Sequence, residues 1–288
     1  MYAAPFDYFR ASSLDEARRL LQQHPGAKVL AGGHTLVPLL KLRLAQPPAL
    51  VDIGRIPDLK GITSSGSTIK IGALTTHTEI ATSSLLRSGC PILTEGAALI
   101  GDSQVRNCGT IGGNIAHADP ASDLPTILMA LDAKIHIAGT PGSRPTSLGD
   151  FLQGMMTTTL EPDEIVTAIE VPARKPDQAM AYVKFSHPAS YYAVIGVAAI
   201  LTIQKGTCAD ARVAIGGLVP AARRCPSVER ALVGKPSTPE NAASAASQVS
   251  RDLGDDLLGD IFASADYRRA MAPVYVERAI RAALERTA

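Results

Sequence analysis

The chain has 288 residues, 46% apolar and 19% charged, an ordinary globular composition with length for roughly two domains of about 100–200 residues each. Its 28 basic and 27 acidic residues leave a net charge of +1, and no stretch concentrates Lys or Arg. That excludes the clustered cations with which a nucleic-acid groove or a polybasic membrane surface displaces counterions.

The opening stretch, MYAAPFDYFRASS, carries Asp7 and Arg10 and no apolar segment, so it is not expected to be a signal peptide. Leu14 to Gln23 has helical spacing at Leu14, Ala17, Leu20 and Leu21, with Ser13 as N-cap. Lys28 to Ala31 predicts a short strand closed by Gly32-Gly33, Leu36 to Leu44 a second helix, and Ala49 to Ile53 a strand. Ile62 to Ile71 alternates around the turn SSGS and predicts a hairpin. Ile92 to Ile100 and Leu124 to Leu131 read as helices, and Ala133 to Ala138 and Ile165 to Val171 as strands, the latter stopped by Pro172.

The charged, Pro-containing segment Ala173 to Gln178 marks a domain boundary. Beyond it three strands are expected, Ala179 to Phe185, Val194 to Ile203 and Ala209 to Gly216, the last two joined by the turn QKGT. Helices follow at Cys225 to Leu232, Asn241 to Val249 and Tyr267 to Leu284. Strands followed by helices predict an α+β domain whose antiparallel sheet is covered on one face. The longest apolar run, Tyr192 to Ile203, falls short of the ~20 residues a spanning helix needs and is expected as a buried strand. A cytoplasmic location with no membrane span is the expectation. Cys90, Cys108, Cys208 and Cys225 lack CxxC spacing, so they encode no local iron–sulfur or zinc site and are expected as small core residues.

Two glycine segments carry the chemistry. In VLAGGHTLVPLL (Val29 to Leu40) a strand runs through Gly32-Gly33 into a helix, a junction that offers unpaired N–H groups and a positive dipole end to an anion. The stretch CGTIGGNIAHADPASDLP (Cys108 to Pro125) repeats the pattern, with Thr110 and Asn114 as polar neighbours. Neither fits the dinucleotide or P-loop glycine patterns, so each by itself reads first as a plain tight turn. Together they suit the two phosphates of a pyrophosphate. His117 and Asp119 give poor metal spacing, and His24, His34, His77, His136 and His187 form no second ligand pair, so no metal site is expected. Asp123 reads as a helix N-cap or as a partner for a cofactor hydroxyl. No nucleophile–base set and no paired catalytic carboxylates are visible, as in a chain whose cofactor supplies the chemistry.

AGGHT (Ala31 to Thr35), RLAQPPALVDI (Arg43 to Ile53), IGALTTHTEI (Ile71 to Ile80) and VRNCGTIGGNIAHADPASDLP (Val105 to Pro125) resemble the FAD-binding medium subunit of the molybdenum hydroxylases, the carbon monoxide dehydrogenase and xanthine dehydrogenase group. YYAVIGVAAIL and VAIGGLVPAARR fall where that family's C-terminal domain is expected. The resemblance implies a PCMH-type, vanillyl-alcohol-oxidase-like FAD domain over residues 1–174, in two α/β subdomains of about 1–57 and 58–174. A C-terminal α+β domain over 175–288, with a three-stranded antiparallel sheet, completes it.

By the same resemblance Ala31, Gly32, Gly33, His34 and Thr35 hold the FAD pyrophosphate from one side, and Thr110, Ile111, Gly112, Gly113 and Asn114 from the other. Asp123 contacts the cofactor, Leu160 and Lys184 lie at the flavin end, Tyr192 shields the isoalloxazine, and Ile100 stands where xanthine dehydrogenase has a flavin-contacting aromatic. Gly112→Val is then expected to expel FAD from a folded chain. The implied role is electron transfer: a large subunit with a molybdenum-pterin cofactor hydroxylates substrate, a small subunit with two [2Fe-2S] clusters relays electrons here, and FAD passes them to an external acceptor. A dimer of heterotrimers is implied. The alternative is a self-sufficient FAD oxidoreductase on the same fold.

Overall fold

The computed structural model describes residues 2–140 and 142–286. The chain begins with β1 (Asp7–Arg10), α1 (Leu14–Gln23), β2 (Lys28–Leu30), α2 (Leu36–Lys41) and β3 (Ala49–Asp52). β3 is the middle strand, paired in parallel with both β1 and β2. Parallel neighbours require a crossover, and α1 and the segment carrying α2 provide it. Ser13 caps α1 by accepting a hydrogen bond from the Glu16 amide at 3.2 Å. The helix buries Ala17 and Leu21 with Val51, Ile53 and Ile56. The strand β1 was not legible in DYFR, whose residues are mostly exposed.

The second part contains β4 (Ile62–Ser65), β5 (Thr68–Gly72), α3 (His77–Thr82), α4 (Ser84–Gly89), α5 (Pro91–Ala98), α6 (Ser103–Cys108), α7 (Ile111–His117) and α8 (Asp123–Ala130). It continues with β6 (Lys134–Ala138), β7 (Ser143–Ser147), α9 (Leu148–Phe151), β8 (Leu152–Gly154), β9 (Thr157–Thr158) and β10 (Ile165–Pro172). Five of these strands form an antiparallel sheet in the order β4-β5-β10-β6-β7, and β8 and β9 pair separately. The helices are short, six to eight residues from α3 to α8. Side chains cap several of them: Thr76 and Glu79 form a reciprocal capping box on α3, and Ser83 and Asp102 cap α4 and α6.

The last part is β11 (Gln178–Ser186), β12 (Ala193–Gln204), β13 (Thr207–Gly216), β14 (Arg223–Arg224), α10 (Pro226–Leu232), α11 (Pro239–Ala246) and α12 (Ala265–Leu284). The three long antiparallel strands and the helices behind them follow the sequence expectation, with one addition. The two-residue β14 pairs with Ala214 and Ile215 and makes the sheet four-stranded.

The sheet is also covered on both faces, not one. Ala181, Val197, Ala199, Val213 and Ile215 pack towards α10–α12, while Met180, Tyr182, Ala198, Ile200 and Ala214 join the core of the second part. Double burial is why this antiparallel sheet reads as the unbroken apolar run YAVIGVAAIL and not as an alternating one.

The seam between this sheet and the second part runs along residues 118–126. Ala193 donates its N–H to the Ala121 carbonyl at 3.0 Å, and Gly217 donates to the Pro120 carbonyl at 2.9 Å. Gly217 has φ +85°, and a Cβ there would meet the Ala193 carbonyl oxygen at 2.6 Å. Gly217→Ala is expected to destabilise the fold by at least about 1 kcal/mol, since it combines a strained φ with a backbone clash. Urea unfolding monitored by circular dichroism measures it, and an unchanged midpoint would contradict the seam.

Candidate functional site

The two glycine segments meet. A Cβ on Gly32 would overlap the Cys108 carbonyl oxygen and lie 3.0 Å from the Gly109 Cα, so only glycine lets the end of β2 approach the end of α6. Gly33 takes φ +70°, the left-handed turn that redirects the chain into α2. Val37 donates to the Gly33 carbonyl at 2.9 Å, and His34 Nδ1 lies 3.2 Å from the Gly32 carbonyl. The N–H groups of Gly32, Gly33, His34 and Thr35 have no acceptor among the described residues. Consecutive amides of this kind around a left-handed residue form a concave anion-binding nest.

The second segment is arranged differently. It is largely helical, with Thr110 as the N-cap of α7, its Oγ1 accepting from the Gly113 amide at 3.2 Å. Ile111 donates to the Thr75 carbonyl at 3.0 Å and Gly112 to the Ala73 carbonyl at 2.8 Å, so these amides are engaged within the chain. A Cβ on Gly112 would meet the Ala73 Cβ at 2.5 Å and its carbonyl oxygen at 2.7 Å. Gly112 is therefore a packing glycine, and Gly112→Val would disrupt the fold locally, contrary to the expectation of an intact chain that merely loses cofactor. Gly113 is exposed. Asn114 donates through Nδ2 to Ser122 Oγ at 3.0 Å, while its Oδ1 is buried with no partner, an acceptor awaiting a donor.

Between the segments lies His77, a residue that sequence reasoning did not single out. It is 3% exposed, its amide donates to the Gly109 carbonyl at 3.0 Å, and its ring packs where Gly109 has no side chain. Its Nδ1 is buried without a partner. Burial, and secondarily the nearby His34, pull its pKa down to about 4, so the ring is neutral near pH 7. A lone histidine in TTHTEI carries no sequence signal; only the meeting of the segments reveals it.

The flavin-end candidates gather around a buried ion pair. Lys184 on β11 donates to Asp123 Oδ2 at 2.8 Å and to the Leu99 carbonyl at 3.1 Å, and the Tyr182 hydroxyl donates to Asp123 Oδ1 at 2.6 Å. The Lys184 and Asp123 side chains are 2% and 4% exposed. Desolvation pushes the Asp123 carboxyl upward, opposed by the Lys184 ammonium and the Tyr182 hydroxyl. Tyr192 is 42% exposed, and partial burial together with the carboxylates of Asp119 and Asp123 raises its phenol pKa, which places it beside the same cluster.

Ile100 and Leu160 are half-buried against the core of the second part. Asp119 closes a local turn by accepting from the Ala121 amide at 2.9 Å. The whole arrangement can hold an elongated, doubly anionic ligand at the nest and a polar ring system near Lys184. Among the described residues it contains no paired nucleophile and base.

Known proteins give the family. Residues 4–174 match the FAD binding domain in molybdopterin dehydrogenase, and residues 180–283 match the CO dehydrogenase flavoprotein C-terminal domain. The chain is 40% identical over 286 residues to the carbon monoxide dehydrogenase medium chain of Hydrogenophaga pseudoflava, covering 98% of each. It is 38% identical to the 6-hydroxypseudooxynicotine dehydrogenase complex subunit alpha of Paenarthrobacter nicotinovorans, covering 98% of this chain and 95% of that one. A solved chain of the Hydrogenophaga pseudoflava enzyme, in a form lacking the Mo-pyranopterin moiety of its molybdenum cofactor, superposes with a TM-score of 0.96 over 100% of both chains. The chain belongs to the family of FAD-binding medium subunits of the molybdenum hydroxylases, and is an oxidoreductase component. Its residues fit FAD: the Gly32–Thr35 amides suit a pyrophosphate, and Asn114 Oδ1 is an unused acceptor suited to a hydroxyl donor.

His77 makes the apo chain acid-sensitive. Unfolded, the ring takes a proton near pH 6.5; folded, not until about pH 4, so stability falls as pH drops through that window. The loss between pH 7 and pH 5 is expected to be about 2 kcal/mol for this group. In His77→Asn that share of the pH dependence disappears, measurable as a flatter melting temperature against pH; an equal slope in both proteins would contradict the burial argument.

Proposed function

We propose that this chain is the FAD-carrying electron-transfer subunit of a heterotrimeric molybdenum hydroxylase. The observation that carries the proposal is the run of free amides from Gly32 to Thr35, held against the second glycine segment by the close approach at Gly32. Ala31 to Thr35 and Thr110 to Asn114 line the pyrophosphate region, with the Thr35 hydroxyl, which caps nothing in α2, as a further donor and Asn114 Oδ1 as an acceptor for a cofactor hydroxyl. Asp123, Lys184, Leu160, Ile100 and Tyr192 line the flavin end. Residues 1–174 form the cofactor domain, in two parts divided near residue 57, and residues 175–288 close over it through β11 and the loop before β12.

Bound FAD supplies the chemistry, accepting electrons singly or in pairs and releasing them to an external acceptor. The chain's own groups bind and tune. Four amide dipoles neutralise phosphate charge without a titrating side chain, and charge-assisted hydrogen bonds of this type contribute about 1.5–3 kcal/mol each. Lys184 donates to Asp123 and Leu99 and is buried, so it acts on the flavin end chiefly through its charge. Tyr192, exposed at the rim, can cover a ring. The electrons arrive from a small subunit with two [2Fe-2S] clusters, after hydroxylation at a molybdenum-pterin cofactor on a large subunit. The assembly is a dimer of such heterotrimers in the cytoplasm. Among the described residues no helix is long and apolar enough to cross a membrane.

Two experiments test this. Purification through a tag on this chain is expected to yield flavin and iron–sulfur absorbance, molybdenum and two co-purifying chains. A single yellow chain without iron or molybdenum that oxidises a nicotinamide alone would instead establish a self-sufficient flavoenzyme. Gly33→Val, which places a branched side chain at φ +70° inside the nest, is expected to lose FAD while far-ultraviolet circular dichroism is retained. Stoichiometric FAD in that variant would overturn the pyrophosphate site.

A further inference from the structure

We infer that Tyr182, through its hydroxyl, is a positioning residue that keeps Asp123 as the counter-ion of Lys184 and thereby sets the charge presented to the flavin. The inference rests on the proposed placement of FAD beside this pair.

Tyr182 is 3% exposed and donates to Asp123 Oδ1 at 2.6 Å, while Lys184 occupies the other oxygen, Oδ2, at 2.8 Å. The carboxylate is thus held by one neutral and one charged donor, both from β11, and both two residues apart on the same face of that strand. Room for the hydroxyl exists because Gly196, which pairs with Lys184 across β11 and β12, has no side chain; a Cβ there would overlap the Tyr182 oxygen. A phenol, a glycine opposite and a buried carboxylate fit together at one point, whereas a phenylalanine would satisfy the packing alone. The one polar atom of the Tyr182 side chain serves Asp123.

The consequence is electrostatic. With the Tyr182 hydroxyl in place, Asp123 is stabilised as a carboxylate and offsets Lys184. Without it, Oδ1 is buried and bare, and desolvation, which already pushes this carboxyl upward, favours its protonated form. Lys184 then stands without its counter-ion, and an unbalanced cation beside the cofactor favours its reduced, more negative state.

The test uses the purified holo-complex and measures the midpoint potential of bound FAD against pH for Tyr182→Phe, Lys184→Met and the parent. The expected result for Tyr182→Phe is retained FAD, a more positive potential, and a shift that grows as pH is lowered. Lys184→Met should move the potential to more negative values. If Lys184→Met shifts the potential and Tyr182→Phe does not, whatever its melting temperature, Tyr182 is merely structural and the inference fails. If neither variant shifts it, the flavin does not lie beside this pair, and the placement of the flavin end fails with it. Should Tyr182→Phe not fold, Gly196→Ala displaces the same hydroxyl, and the same positive, acid-enhanced shift is required of it.

Discussion

The carboxylate of Asp123 is the constraint on which the rest of the molecule turns. It stands at the start of α8, in the interior, where a lone charge would cost several kcal/mol. Both donors that relieve that cost, Tyr182 and Lys184, belong to β11, in the part of the chain that follows the linker. Helix α8 and the last sheet are thus obliged to meet in one register. The neighbouring contacts agree with it: Ala193 and Gly217 donate to the carbonyls of Ala121 and Pro120, and Gly216 leaves space that the Thr126 side chain fills. The seam that results runs directly into the segment carrying Asn114, so the geometry of the glycine segment and that of the C-terminal sheet are not independent.

Within that frame the two glycine segments divide the work unequally. The first keeps its amides free and uses Gly33 to point them together; the second commits its amides to Ala73, Thr75 and its own N-cap. The glycines of the second segment serve approach: Gly109 admits the His77 ring, Gly112 admits Ala73. What the second segment offers a ligand is its side chains, Asn114 above all. The symmetry suggested by two Gly-Gly sequences is therefore only apparent. One keeps a run of free amides and the other is the wall against which that run is pressed.

How much of this could be read in the sequence depends on the range of the interaction concerned. The helix α1 and the strands β11 to β13 were legible because their patterns are long and local: a capped amphipathic turn, and apolar runs too short to be membrane helices. The six- and seven-residue helices between His77 and His117 were not, because so few residues define no period, and tertiary capping and packing hold them in place. The fourth strand β14 is two arginines, invisible to any pattern. At the site, the glycine motifs signalled a backbone-rich anion contact, yet nothing in them distinguished the free amides of Gly33 from the engaged amide of Gly112. The partnership of Asp123 with Lys184 spans 61 residues and that with Tyr182 spans 59, and no spacing rule connects them. His77 was hidden for the same reason.

A common electrostatic design emerges from these groups. His77 is held neutral by burial, Lys184 is balanced by Asp123, and Tyr182 keeps its proton because burial and Asp123 raise its pKa well above the ordinary phenol value. The groups nearest the glycine segments and the last sheet thus include fixed amide dipoles, a neutral imidazole and one compensated ion pair. Dipoles fixed by the fold need not reorganise when the charge of a bound group changes. Such a frame suits a bound cofactor that supplies the chemistry itself, FAD in this family.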